Sequence, residues 1–425
     1  MHYTEARAYI DALKPGGMKY GLARMERILS LLGRPQDQLR VIHIAGTNGK
    51  GSTAQMIQAM ASASGYKTGL FTSPPVMGLR QTVSIDGKPI QREDFAAFVE
   101  EITALSPAMG EAGSLSEFEL LTTLAILWFA REETDLCVIE CGLGGRDDAT
   151  NVFDHPLAVV LTPVGLDHTA VLGSTVEEIV RAKCGILRPD CLVAVSPGQP
   201  EEALGVLLEE AAARGLTVHM PGAASAPVLE QGPGRLVFEW EGEPVALSLT
   251  GRFQRDNALT ALCVLRLLEG KGYRFQRQKA LAVLEKIRIP CRQELVCRHP
   301  MLMLDGAHNP DGIRALTQTL SEIPEEDRVP LTLLWGMLRD KDIRAAVSLI
   351  APFAARAVCC APDNPRALPS QELAAAFREA GVQALSEDSP ENAFVLAKQA
   401  AGDGPLLVGG SFFLASAIRP YLTKP

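Results

Sequence analysis

Apolar residues at Leu22, Met25, Ile28, Leu29 and Leu32 recur at the spacing of one helix face, and Gly33 ends the run. The continuous apolar stretch Val41 to Ala45 then reads as a buried strand, and a glycine-rich turn follows at once. From Ser52 to Ser64 the pattern is helical again. Thr68 to Phe71 reads as a short strand, Phe95 to Leu105 and Phe118 to Phe129 as apolar-faced helices, and Leu136 to Glu140 and Ala158 to Thr162 as strands, with a helix over Val176 to Lys183. Strands alternating with helices predict an α/β fold whose mostly parallel sheet is covered on both faces.

Between Leu229 and Leu249 the period changes to alternation around Glu241-Gly242-Glu243, the pattern of an antiparallel hairpin, which is placed within the first domain. A helix is expected over Asn257 to Leu268. Strands are expected at Met301 to Leu304, Leu331 to Trp335, Ala357 to Cys360 and Leu406 to Val408, with amphipathic helices between them. They predict a second, smaller, Rossmann-like α/β domain, joined through a linker at Arg288 to Glu294 where Pro290 breaks the helical pattern. The expected division is residues 1–290 and 291–425; a chain of 425 residues is long for one core at about 150 residues per domain.

Composition narrows the partners. With 41 basic against 50 acidic residues the formal charge is −9, which gives no field for a nucleic-acid backbone. Hydrophobic residues at 47% and charged residues at 21% exclude a disordered or fibrous chain. Nine cysteines, none in a C-x-x-C pair, fit reduced thiols in the cytoplasm. Met1 to Lys14 carries Glu5, Arg7 and Asp11, unlike a secretory leader, and the most apolar stretch, Ala345 to Ala361, is interrupted by Pro352 and Arg356, so no membrane span is expected.

Gly46-Thr47-Asn48-Gly49-Lys50-Gly51-Ser52 lies between a strand and a helix start. Its glycines let backbone N–H groups converge on phosphate oxygens, Lys50 adds a point charge, and the helix directs its positive end to the same place. A standard phosphate loop has Ser or Thr after the lysine to meet Mg²⁺, whereas this chain has Gly51, so the metal needs other ligands. Ser73 in a loop after a strand, Glu140 at a strand's C-terminal end and His168 after another strand are candidates. Each also has a plainer reading, as a loop hydroxyl, a paired strand-end acid and a structural histidine.

Together these residues resemble the folylpolyglutamate synthase and dihydrofolate synthase family of the Mur ligase superfamily. The matching runs are Gly46 to Thr53, Phe118-Glu119, Glu140 to Asn151, Leu166 to Thr169 with Leu172-Gly173, Lys183 with Gly185-Ile186, Phe253-Gln254 with Asn257-Ala258, Asp305 to Pro310, and Gly336 to Leu338 with Asp340 to Asp342. The resemblance implies an ATP-dependent ligase. A carboxylate, of dihydropteroate or a reduced folate, takes the γ-phosphate, and L-glutamate attacks the acyl phosphate. Residues 1–290 would hold ATP and the pterin, and residues 291–425 the glutamate. By the same resemblance Ser73, Glu140 and His168 bind Mg²⁺, with two ions in all, and Lys183 takes the place of a carbamylated lysine. Lys50, Lys183 and His168 are then the catalytic set. Asn257, Arg292 and Asp305 contact ATP beside Gly46 to Ser52, Phe118 and Asp148 hold the pterin, and His308 and Ser411 belong to the glutamate site.

Three positions depart from the family pattern: Cys291 stands where glycine usually precedes the linker arginine, Ala182 replaces a glutamate before Lys183, and Pro75 replaces a histidine. The expected protein is a cytoplasmic monomer acting on small molecules. A cell-wall Mur ligase is disfavoured because only about 40 residues precede the phosphate loop, fewer than the roughly 50 of a minimal domain. A phosphotransferase or NTPase without amide chemistry, and a non-catalytic ATP-binding relative, remain open.

Overall fold

Eight strands form the first sheet: β1 (Val41–Ala45), β2 (Thr68–Phe71), β3 (Val83–Ile85), β4 (Lys88–Pro89), β5 (Leu136–Glu140), β6 (Ala158–Leu161), β7 (Leu192–Val195) and β8 (Val218–His219), in the order β4-β3-β2-β5-β1-β6-β7-β8. The computed structural model describes residues 1–13 and 21–422. Lys14, the last residue of the N-terminal stretch weighed above, lies outside them. All neighbours pair in parallel except β3, which is antiparallel to both β2 and β4. Strands β1, β2, β5 and β6 are buried at every position, as central parallel strands covered on both faces must be. On one face the helices Tyr3–Leu13, Ala23–Leu31, Arg92–Ala104 and Glu117–Arg131 bury Ile10, Met25, Ile28, Phe95, Val99 and Phe129. On the other, Val176–Lys183 and Glu201–Ala212 bury Ile179, Val180, Ala203 and Leu207.

Helix starts are written locally. Ser116 and Glu119 form a reciprocal capping box at the start of Glu117–Arg131, and Thr175 and Glu178 do the same for Val176–Lys183. The chain leaves the carboxyl end of β1 toward β2 on one side, while that of neighbouring β5 leads to β6 on the other, so the carboxyl ends of β1 and β5 flank the position where open α/β sheets collect ligands.

The chain divides into two compact units, Met1–Ala223 with Asp256–Val283, and Ala224–Arg255 with Leu284–Pro425. The hairpin is expected within the first domain. The segment is a three-stranded antiparallel sheet of β9 (Val228–Gly232), β10 (Arg235–Trp240) and β11 (Glu243–Leu247), and it groups with the second unit. Side chains far along the chain anchor it: Gln231 and Arg252 both reach Glu322, and Arg235 pairs with Glu285. Hydrophobic period cannot reveal such partners.

In the second unit, β12 (Glu294–Cys297), β13 (Leu302–Leu304), β14 (Thr332–Trp335), β15 (Arg356–Cys359), β16 (Gln383–Ser386) and β17 (Leu406–Gly409) form a sheet in the order β12-β13-β17-β14-β15-β16. It is parallel apart from β12. The expected linker thus runs directly into an edge strand. Helix Pro310–Glu322 starts with Asn309, whose side chain accepts from the Gly312 N–H at 2.8 Å, and with proline in the first turn.

Candidate active site

The phosphate loop joins β1 to the 14-residue helix Lys50–Ala63. Gly49 precedes the helix at φ 87°, a left-handed conformation that costs glycine little. A side chain there would also meet Asn257 Oδ1 at 2.4 Å, so the fit of Asn257 against the loop requires glycine. Gly46 is packed equally tightly, with Thr162 Oγ1 1.9 Å from where a Cβ would stand. The turn after β6 holds the loop in place: Pro163 O accepts from the Thr47 and Asn48 N–H groups at 2.9 and 3.2 Å, and Thr47 Oγ1 exchanges hydrogen bonds with the Gly165 backbone at 3.1 Å. Ser52 Oγ is buried without a partner on the first turn of the helix, as a hydroxyl reserved for an incoming oxygen would be.

Lys50 Nζ folds back on its own loop, donating to Gly46 O at 3.1 Å and Thr47 O at 3.2 Å. Lys183 Nζ donates to that same Gly46 oxygen at 2.8 Å. Lys183 is buried, and desolvation, with the Lys50 charge as the next cause, pulls its ammonium down to about 7. Near neutrality, therefore, a large share of Lys183 is the free amine.

The reason for Gly51 is geometric. The Glu140 carboxylate, at the end of β5 and only 2% exposed, sits over residue 51, with Oε2 3.2 Å from the position of a Cβ. An ordinary phosphate-loop Ser or Thr would crowd this acid. Glu140 Oε2 also accepts from the Ser73 N–H at 3.2 Å, which brings Ser73 beside it. His168 has φ 51° and stands at the start of the short helix Thr169–Leu172, with Nε2 3.9 Å from Asp167 Oδ2. Among the described residues no three His, Cys, Asp or Glu side chains gather closely enough to hold a metal by themselves. Such a donor set still suits Mg²⁺, which binds through one or two carboxylates and completes its shell with substrate phosphates and water.

The loop Cys141–Asn151 explains its own glycines. Gly142 leaves room for the Phe118 ring, 2.5 Å from a would-be Cβ; Gly144 leaves room for Leu172; and Gly145 leaves room for Lys183 O, 2.6 Å from where its Cβ would stand. Each glycine thus receives a different element that carries or adjoins a candidate residue. The last contact is a backbone clamp: Arg146 N donates to Ala182 O at 2.8 Å, Gly185 fits under Arg146, and Asn151 Nδ2 spans Arg146 O and Gly185 O at 2.9 and 3.2 Å. This clamp sets the end of the helix from which Lys183 projects.

Phe118 also lies against Phe71, with ring centroids 5.7 Å apart. Asp148 is buried and spends its oxygens within its own loop, accepting from Leu143 N at 2.6 Å, Thr150 N at 3.0 Å and Thr150 Oγ1 at 2.6 Å. Burial raises its pKa. Since Thr150 Oγ1 gives its proton to Asp148, it accepts from His43 Nε2 at 2.8 Å, and His43 is held neutral by desolvation that lowers it to about 3. Sequence reasoning missed this His43-Thr150-Asp148 chain. It also missed Arg24, whose Nε donates to buried Glu119 Oε1 at 2.8 Å while Glu119 Oε2 accepts from Ser116 N and Oγ. That pair fixes the helix start that presents Phe118.

In the second unit, Asp305 follows β13, is buried, and accepts from Gln293 N at 2.8 Å and Ala307 N at 2.9 Å; burial raises its pKa. Arg292 lies with its guanidinium carbon 3.9 Å from the centre of the Phe412 ring. Both neighbours of Arg292 have left-handed backbone, Cys291 at φ 55° and Gln293 at φ 47°, which accounts for the glycine the family pattern has at the first of these positions. His308 Nδ1 is 2.9 Å from Gly306 O, and its ring meets Phe412 edge-on at 6.1 Å. Ser411 Oγ accepts from Leu414 N at 3.2 Å, a capping contact. The first unit thus gathers Gly46–Ser52, Ser73, Glu140, Lys183 and Asn257, and the second gathers Arg292, Asp305 and His308 near Phe412.

Residues 44–265 match the Mur ligase middle domain, and residues 291–412 match the Mur ligase glutamate ligase domain. A dihydrofolate synthase/folylpolyglutamate synthase of Bacillus subtilis is 33% identical over 99% of both chains, and a folylpolyglutamate synthase of Lacticaseibacillus casei is also 33% identical over 99% of both. This chain belongs to the folylpolyglutamate and dihydrofolate synthase family of Mur ligases. Among solved members of that family, Mycobacterium tuberculosis folylpolyglutamate synthase complexed with ADP superposes with a TM-score of 0.89 at 29% identity, covering 100% of this chain and 99% of that one. Escherichia coli FolC in complex with DHPP and ADP gives 0.85 at 28% identity, covering 99% and 98%. As a Mur ligase of this family the protein is an ATP-dependent ligase with the mixed α/β architecture read from its sequence, and no described helix is long and apolar enough to cross a membrane.

Proposed function

We propose that the protein joins L-glutamate to the carboxylate of a folate-type acid, dihydropteroate or a reduced folate, through an acyl phosphate made with ATP. Gly46 to Ser52 cradle the triphosphate, with Asn257, Arg292 and Asp305 as further nucleotide contacts. Lys50 leaves the carbonyls of its own loop for the γ-phosphate as charge builds on it. An oxygen of the acid attacks the γ-phosphorus and ADP departs. The glutamate amine, held by His308 and Ser411, then attacks the acyl carbon and loses a proton as phosphate leaves. Fixing both partners replaces a bimolecular encounter with a local one.

Ser73, Glu140 and His168 would hold Mg²⁺, and in this reading there are two ions. Bound there, the metal would neutralise developing charge on the transferred phosphoryl group. Lys183 as a free amine can add CO2, losing one proton and becoming a carbamate, so that a cation beside the metal site becomes an anion with two oxygens. One observation carries the ligase reading over a simple phosphotransferase. Residues 291–412 match a glutamate ligase domain, which a phosphotransferase without amide chemistry does not require. Phe118 offers an aromatic face to the pterin, and Asp148, its carboxylate engaged by Leu143 and Thr150, braces the loop whose Gly142 packs on Phe118. The enzyme is read as a cytoplasmic monomer.

Product analysis tests this. Purified protein given ATP, Mg²⁺, L-glutamate and either dihydropteroate or tetrahydrofolate is expected to yield the acid lengthened by one glutamyl residue, with phosphate released only when both acid and glutamate are present. Steady ATP hydrolysis with neither would instead identify an NTPase.

A further inference from the structure

Gln199 lies in the turn after β7, separated from the phosphate loop by the end of β6. Its amide is fully engaged: Nε2 donates to Leu161 O at 3.1 Å and Thr162 O at 2.9 Å, and Oε1 accepts from the Val164 N–H at 3.1 Å. The reverse orientation would set an oxygen against two carbonyls, so the partners fix which way the amide points. All three bonds fall on residues 161–164. That segment in turn carries the loop, because Pro163 O accepts from Thr47 N and Asn48 N, Thr162 N donates to Ala45 O at 2.9 Å, and Gly165 exchanges hydrogen bonds with Thr47 Oγ1. Thr162 also packs against Gly46 so closely that no Cβ would fit between them.

We infer that Gln199 is a positioning residue for nucleotide binding: it staples the turn after β6, and through that turn it presets the backbone that receives the phosphates. It touches no phosphate-loop atom in this chain of contacts. Its effect is preorganisation, since a loop already held in its binding conformation need not be ordered by the ligand. The inference rests on Gly46 to Ser52 being the triphosphate cradle.

Two substitutions read this out. Gln199→Leu removes all three bonds. Gln199→Glu keeps the shape and the acceptor, but places an ionised oxygen opposite two carbonyls until the acid is protonated and can donate again. Calorimetric ADP binding to folded protein is measured beside wild type, with KM for ATP, for the folate-type acid and for glutamate. For Gln199→Leu we expect ADP affinity to fall and KM for ATP to rise by about tenfold, equivalent to about 1.4 kcal/mol, with the other two KM values changed by less than about twofold. For Gln199→Glu, ADP affinity should recover as pH falls from about 8 to about 5.5, while wild type shows no such recovery. Unchanged ADP affinity in both variants would overturn the inference. So would a parallel rise of all three KM values with a lowered melting temperature and no pH-dependent recovery, which would mark Gln199 as a general stabiliser. ADP binding needs no ligation, so a wild-type protein that binds ADP without forming product would refute the ligase reading and leave this test standing; one that binds no ADP would refute both.

Discussion

Lys50 and Lys183 donate to one carbonyl oxygen, that of Gly46, at 3.1 and 2.8 Å. Burial desolvates the Lys183 ammonium and the nearby Lys50 charge repels it, which together pull its pKa down to about 7. Replacing Lys183 with alanine should therefore reduce ligation by about a hundredfold or more, the scale of losing one preorganised electrostatic group, while the protein stays folded. Steady-state rates with circular dichroism check this, and ¹³C-labelled bicarbonate should give a carbamate resonance in wild type that the variant lacks. Because the Lys183 proton is held less tightly folded than unfolded, stability should rise with pH from about 7 toward the ordinary lysine value of about 10.5, more in wild type than in Lys183→Met.

Gly51 and Glu140 form a second coupled pair. A Cβ at residue 51 would lie 3.2 Å from Glu140 Oε2, so Gly51→Ser should displace the acid and Glu140→Ala should remove it. Both variants should lower Mg²⁺-dependent turnover by about 10² to 10³, a loss typical of misplacing transition-state charge stabilisation. Binding of the pterin acid, measured by fluorescence without nucleotide, should change by less than about threefold, or about 0.7 kcal/mol. Equal losses in turnover and pterin binding would make Glu140 a structural acid.

The buried pair Arg24–Glu119 should matter for folding first. Glu119 is 1% exposed, and among the described residues losing Arg24 leaves its carboxylate the Ser116 donors at the capping box. Arg24→Met should cost about 3 kcal/mol, the lower end for breaking a buried ion pair from one side, read as a shift in urea midpoint. Affinity for the pterin acid should fall with it, because the helix start that carries Phe118 loosens.

Acid stability depends on His43. Its folded pKa of about 3 is below the ordinary 6.5, so the unfolded chain binds the proton first. The contribution is intact above about pH 6.5 and is lost as pH falls toward 3, by on the order of 4 kcal/mol. Asp148 acts with the opposite sign, since its raised pKa favours the folded state at low pH. The difference between wild type and His43→Gln across pH 4 to 7 is therefore the informative quantity, and the variant should show the shallower acid loss.

Much of the first unit was legible because its signals are local. The strand and helix flanking Gly46 to Ser52, the buried run Leu136 to Glu140 and the helix Val176 to Lys183 each sit within a few residues of what specifies them. Gly51 was legible as a departure from the usual Ser or Thr, but the approach of Glu140 to it comes from 89 residues along the chain. Strand β16 is exposed or half-buried at every position and so carries no apolar run to mark it. The roles of Arg24, His43 and Gln199 depend on partners fixed by sheet order and register, as does the grouping of β9 to β11 with the second unit. Such facts are set by the packed chain, and period and composition do not carry them.

Oxygen tracing tests the central claim most directly. The folate-type acid is labelled with ¹⁸O in the reacting carboxylate and incubated with the protein, ATP, Mg²⁺ and L-glutamate, and the released phosphate is analysed by mass spectrometry. Activation by phosphoryl transfer predicts one ¹⁸O atom in each phosphate formed together with the lengthened acid. Phosphate free of label, or formed without a new amide, would contradict it.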